Sequence, residues 1–170
     1  MKLTVIELVL FALLGALMLA GDVLMDWLPN VHLVGVLLAT YTAVYRWKAL
    51  IPLYVYISLL GLISGFPMWW WAYLYGWLPL WGACMLLPRT LTPKTAIAYG
   101  IACAVHGFSF GALCALSQVP LLGLPWSGLP AYIAAGLFPF DMIHGVGNAA
   151  LSVLILPLAT VLKRAPRHSI

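Results

Sequence analysis

Apolar runs follow one another through nearly the whole chain, each about as long as a bilayer's hydrocarbon core is thick, with turn residues between them. A helix needs about 17 to 25 predominantly apolar residues to cross ~30 Å of hydrocarbon. Within lipid, every backbone N–H and C=O must also find a partner inside the protein, which leaves helices and closed barrels as the spanning forms. Runs of this length point to helices. Six spans are expected, near residues 3–25, 31–46, 49–65, 70–87, 95–117 and 139–162. The second and third are short, so tilt or burial against neighbours has to make up their length. The first apolar run, 3–21, is long enough to stay as a span and no small-residue cleavage site follows it, so it is counted as a helix and not as a signal peptide. Composition agrees: of 170 residues, 65% are hydrophobic and 7% charged, where a soluble domain would carry about a quarter charged. The expected fold is an all-α integral membrane protein, a single six-helix domain over residues 1–170.

The basic residues sit at the junctions. Lys2 opens the chain, Arg46 and Lys48 lie between spans two and three, Arg89 and Lys94 between four and five, and Lys163, Arg164 and Arg167 follow the last. With six spans all eight fall on one side, which by the positive-inside rule places both termini in the cytoplasm. A seventh span over 132–138 would carry the C-terminal cluster to the other side, and so short a segment cannot cross. Residues 119–138, punctuated by Pro120, Gly123, Pro125, Gly128 and Pro130, are therefore expected to form an outer loop with a short interfacial or re-entrant helix that acts as a lid. The formal net charge of +4 does not indicate a nucleic-acid partner, because the basic residues form no patch.

Polar groups inside the apolar runs are the candidates for function. The stretch FPFDMIHGVGNAALS, residues 138–152, puts Asp141, His144, Asn148 and Ser152 within an arc of about 80° on one helix face. A buried unpaired charge costs several kcal/mol, and ionisable residues in a span usually face a bundle interior or a wet cavity. Asp141, His144 and Asn148 are expected to line a solute cavity, with a polar clasp between helices as the alternative. His106 in span five, followed by Gly107, Ser109 and Gly111, lies at a depth where it could meet Asn148; a neutral packing histidine is the plainer reading. Asp22, Asp26, Asn30 and His32 follow span one on the outer side. No basic residue accompanies them, which favours a cationic, zwitterionic or neutral solute, although the two acids also suit a solvated helix end. Between spans three and four, seven Trp and Tyr residues fall within positions 69–81. Some belong to the interfacial belt; Trp70 and Tyr73, at helical spacing, are the nominal pair facing a solute.

Ala12, Gly15, Ala16 and Ala20 make a small-residue stripe on span one. Such stripes let helices approach closely in lipid, and packing within the chain or on a separate partner explains it equally well. Cys84, Cys103 and Cys114 read as buried apolar fillers. The four histidines lack metal-ligand spacing, so no metal or other cofactor is expected. Nucleotide-binding GxxxxGK[ST], HExxH and GxSxG motifs do not occur. The chain is therefore not expected to be an enzyme, and uphill transport would draw on an ion gradient or another subunit. A proton-coupled transporter using Asp141 and His144 is one such reading; an intramembrane enzyme using the same pair is a weaker one.

A six-span chain of this length, with PFDMIHGVGN opening its last helix and LPNVHLVGV, AVYRWKALIPLYVY and WGACMLLPR before it, resembles the substrate-binding S components of energy-coupling factor (ECF) vitamin transporters. The resemblance covers nearly the whole chain. It implies a multi-pass protein of a prokaryotic plasma membrane that captures a vitamin-like solute in its outer half. Delivery would follow docking on a membrane T subunit driven by two cytoplasmic ATPases. The family's first-helix AxxxA stripe, which contacts the T subunit, maps to Ala12, Ala16 and Ala20. Its cavity maps to Asp141, His144 and Asn148, with His106, the aromatic run and the segment carrying Asn30 and His32 as further walls. A cationic aromatic vitamin, or a large ring system such as a cobalamin, fits this charge pattern.

Overall fold

The computed structural model describes residues 3–164; Lys2, Arg167 and His168 lie outside the described residues. Those described are helical throughout, joined by turns and short connections. In order the helices are α1 (Val5–Met25), α2 (Val34–Tyr45), α3 (Leu50–Ser64), α4 (Trp70–Gly76), α5 (Leu78–Leu86), α6 (Pro93–Leu121), α7 (Leu129–Gly136), α8 (Met142–Leu151) and α9 (Ile155–Arg164). Four stretches, Val5–Leu24, Val34–Ser64, Pro93–Leu121 and Trp126–Arg164, are long and apolar enough to cross a membrane. Their outward faces are apolar too. Leu13 and Leu17 on α1, and Ile97, Ile101 and Val105 on α6, point away from the bundle. This arrangement is compatible with a membrane protein.

Local chemistry explains where the helices begin. Thr4 caps α1 and exchanges hydrogen bonds with Glu7, and Thr92 caps α6 in the same way with Thr95, each pair satisfying two otherwise unpaired donors. Pro93 then occupies the first turn of α6, where its missing N–H is harmless.

The stretch Val34–Ser64 is broken at Arg46, whose φ of 59° and ψ of −125° no helix can contain. On one side α2 runs opposite to α1: Leu33 lies against Gly21, and Tyr41 donates to the Leu14 carbonyl at 3.3 Å. On the other side α3 runs with α1. Lys48 pairs with Glu7, Pro52 and Val55 pack on Gly15, and Tyr56 donates to Asp22 at 2.8 Å. Every residue from Val34 to Val44 is buried, so α2 is the central helix and its shortness is met by burial among its neighbours.

Arg46 also gathers one end of the bundle. Its guanidinium donates to the carbonyls of Cys84, Met85 and Leu87 and to the Tyr99 hydroxyl. These carbonyls lie at the end of α5, where a cation is favoured by the helix dipole as well. Arg89 reaches the Val44 carbonyl at the same end, 3.4 Å away.

The run expected at 70–87 is divided at Trp77 into α4 and α5, and α6 extends past Pro120 to Leu121. Within 119–138 lies helix α7, which runs on into α8 through a turn kinked at Phe138. From there α8 lies antiparallel on α6. Asp141 sits beside Gly111, Gly145 beside Gly107, Asn148 beside Cys103 and Ser152 beside Gly100. This approach is close because glycines face each other: a Cβ on Gly107 would stand 2.7 Å from the Gly145 Cα.

Candidate functional site

A cavity of about 510 Å³ lies at the end of the bundle away from Arg46. The end of α1 supplies Asp22, Met25 and Asp26 to it, and the α1–α2 connection supplies Asn30 and His32. The end of α3 adds Leu60, Ile63 and Ser64; Trp69 and Tyr73 come from the start of α4, Phe110 from α6 and His144 from α8. None of the described basic residues lines it. Asn30 has φ 58°, a left-handed conformation that asparagine tolerates better than most residues, and it turns the chain back along the cavity wall.

The floor is a cluster of rings. His32 and His144 meet with centroids 4.6 Å apart, edge to face. Phe110 lies 5.1 Å from His144, and the fully buried Trp77 lies 4.9 Å from Phe110 and 5.6 Å from His32. Edge-to-face and tilted contacts of this kind are worth about 0.5–1.5 kcal/mol each beyond area burial. Burial pushes the His32 imidazole down to about 4, so it is neutral at neutral pH and can both donate and accept a hydrogen bond. His144 is only 3% exposed and its Nε2 has no hydrogen-bond partner. The rim differs in character: Asp26 is exposed, and Asp22 accepts the Tyr56 hydroxyl on one oxygen.

Of the residues expected to bind solute, Asn30, His32, Tyr73 and His144 come together around this cavity. The others are placed elsewhere. Asp141 is buried, its Oδ1 accepting the Gly111 N–H at 2.8 Å while its Oδ2 has no partner. Asn148 donates to the Cys103 carbonyl at 3.0 Å and lies against Gly35. His106 pairs through Nε2 with the Gly76 carbonyl at 2.8 Å, which makes that nitrogen the protonated one. It is His144, and not Asn148, that faces His106, at 6.3 Å between ring centroids. Trp70 donates to the Ile57 carbonyl at 2.8 Å and packs edge to face on Phe66, a structural position.

Of the cavity residues, Met25, Leu60, Ile63, Ser64 and Phe110 were not singled out in the sequence, Trp69 was read only as part of the aromatic run, and Asp22 and Asp26 were read equally as a helix end. A usable signal existed for the acids: two carboxylates four residues apart, so on one helix face, next to Asn30 and His32. None existed for Phe110. Among the described residues no group of His, Cys, Asp or Glu side chains is placed to hold a metal ion, and the three cysteines are free and buried.

No family model, curated protein or solved structure matches this chain. The function is therefore argued from geometry and chemistry alone. Carboxylates at the mouth, imidazoles below and aromatic walls between suit reversible capture of a small solute.

Proposed function

We propose that this chain is the solute-binding S component of an ECF-type importer, with six spans and both termini cytoplasmic. In this reading α4 and α5 together make one span, and α8 and α9 make another. One observation carries the proposal. The cavity opens at the end of the bundle opposite Arg46, Lys48 and Arg89, so the positive-inside rule turns its mouth outwards. A solute would enter from outside between the end of α1, the α1–α2 connection and the start of α4, with α7 beside the entrance to the last span as a lid. Delivery would require docking on a T subunit with two ATPases, for which α1 presents Ala12, Ala16 and Ala20. All three are exposed, while Gly15 between them is taken up by α3.

The test separates capture from transport. Purified protein should hold its solute without ATP, and native mass spectrometry of the gently extracted protein should show what co-purifies. Uptake into proteoliposomes should require the T subunit and both ATPases. Uptake by the isolated protein that collapses with a protonophore would instead establish the proton-coupled reading. Asp141 and His144 make no direct contact that would favour such a relay: one is bonded to Gly111, the other set among rings.

A further inference from the structure

The cavity is chemically one-sided. Asp22 and Asp26 stand one helical turn apart at its mouth, and no described lysine or arginine lines it. Asp22 keeps a partner on only one oxygen, the Tyr56 hydroxyl. A neutral phenol does not balance a carboxylate charge, and in surroundings of low dielectric constant that charge is worth most to a cation. Below the acids the wall is Trp69, Tyr73 and Phe110, rings whose faces attract cations and stack on planar groups. At the floor stands His144, 3% exposed, its Nε2 without a partner. His144 lines the cavity, and its imidazole is the hydrogen-bonding group at that depth.

We infer that the solute is a small organic cation with a planar aromatic ring: its charged nitrogen seats between Asp22 and Asp26, its ring lies along Trp69, Tyr73 and Phe110, and a polar ring edge meets His144. This rests on the reading of the cavity as the solute site. The volume, about 510 Å³, lies within the range for small-molecule sites. It accommodates one or two fused rings with a short side chain.

Three compounds that share an indole ring and a two-carbon chain isolate the charge: tryptamine as the cation, tryptophol as the neutral analogue and indole-3-propionate as the anion. Binding is measured by isothermal titration calorimetry on the full chain in phosphatidylcholine nanodiscs, with empty nanodiscs subtracting partition into lipid. The expected order is tryptamine, then tryptophol, then indole-3-propionate, with about tenfold between the first two. Asp22→Asn should weaken tryptamine about tenfold and leave tryptophol unchanged. Asp26→Asn, at an exposed position, should act in the same direction and keeps the test alive if the first variant misfolds. Equal affinities, a preference for the anion, tryptamine binding indifferent to both substitutions, or no saturable tryptamine binding at millimolar concentration would each overturn the assignment. The measurement involves neither the T subunit nor ATP, so the S-component reading and this one can fail separately.

Discussion

Arg46 shows how much one side chain can decide. Its backbone sits at φ 59°, a region that strains a non-glycine residue by about 1–3 kcal/mol. Its guanidinium offsets that strain by satisfying the carbonyls that close α5. Arg46→Ala should keep the strain and lose the hydrogen bonds, lowering stability by about 2–4 kcal/mol, read as a drop in thermal midpoint in detergent. Arg46→Gly relieves the strain and should fall less far. An alanine variant as stable as the wild type, or a glycine variant more stable than it, would mean that the guanidinium contributes nothing. From the sequence, Arg46 was legible as a topology signal and not as a cap, because its acceptors belong to a helix about forty positions further along.

The pair α6 and α8 makes the same point at the scale of elements. Periodicity places Asp141, His144 and Asn148 on one face, and in the structure all three are buried on α6. What lies opposite a face is not written in its period. Gly111 meets Asp141 and Cys103 meets Asn148, so two of the three form the polar clasp that stood as the alternative, and only His144 reaches the cavity. Gly107 was correctly marked as a place for close approach, and its neighbour is the backbone of α8. Gly107→Ala should therefore force the helices apart, costing about 1–3 kcal/mol by overpacking. Gly136→Ala, where a Cβ meets nothing within 4 Å, should be close to neutral. Parallel thermal melts of the two variants decide this, and equal melting would show that the helices slide apart without penalty.

At the scale of the whole molecule, α1 has a buried face and an exposed one. Phe11, Leu14, Gly15 and Met18 pack inwards, whereas Ala12, Ala16 and Ala20 look out. The sequence left the small residues equally suited to packing within the chain and on a partner; in the structure Gly15 packs on α3, and Ala12, Ala16 and Ala20 are exposed. Ala16→Trp should abolish co-purification of the T subunit while the ATP-independent solute binding stays unchanged. Normal assembly of that variant would remove α1 from the docking face. The same helix carries Asp22 and Asp26 at its far end, so the proposed docking face and cavity mouth share one rigid element.

Hydropathy and charge placement alone determined that the chain is helical, that its long apolar stretches suit a membrane and that its basic residues gather at the junctions. Those properties are sums over many residues, and no single contact can reverse them. The occupants of the cavity were a tertiary matter. Asn30, His32, Tyr73 and His144 were legible because polar or aromatic groups in apolar runs are conspicuous, but Phe110 looks like any other core residue until α6 is turned towards α4 and α8. Asp141 and Asn148 were as conspicuous as His144, and in the structure they are hydrogen-bonded to the backbone of α6. Burial of a polar group requires a partner, and only the packed structure decides whether a neighbouring backbone or a solute supplies it.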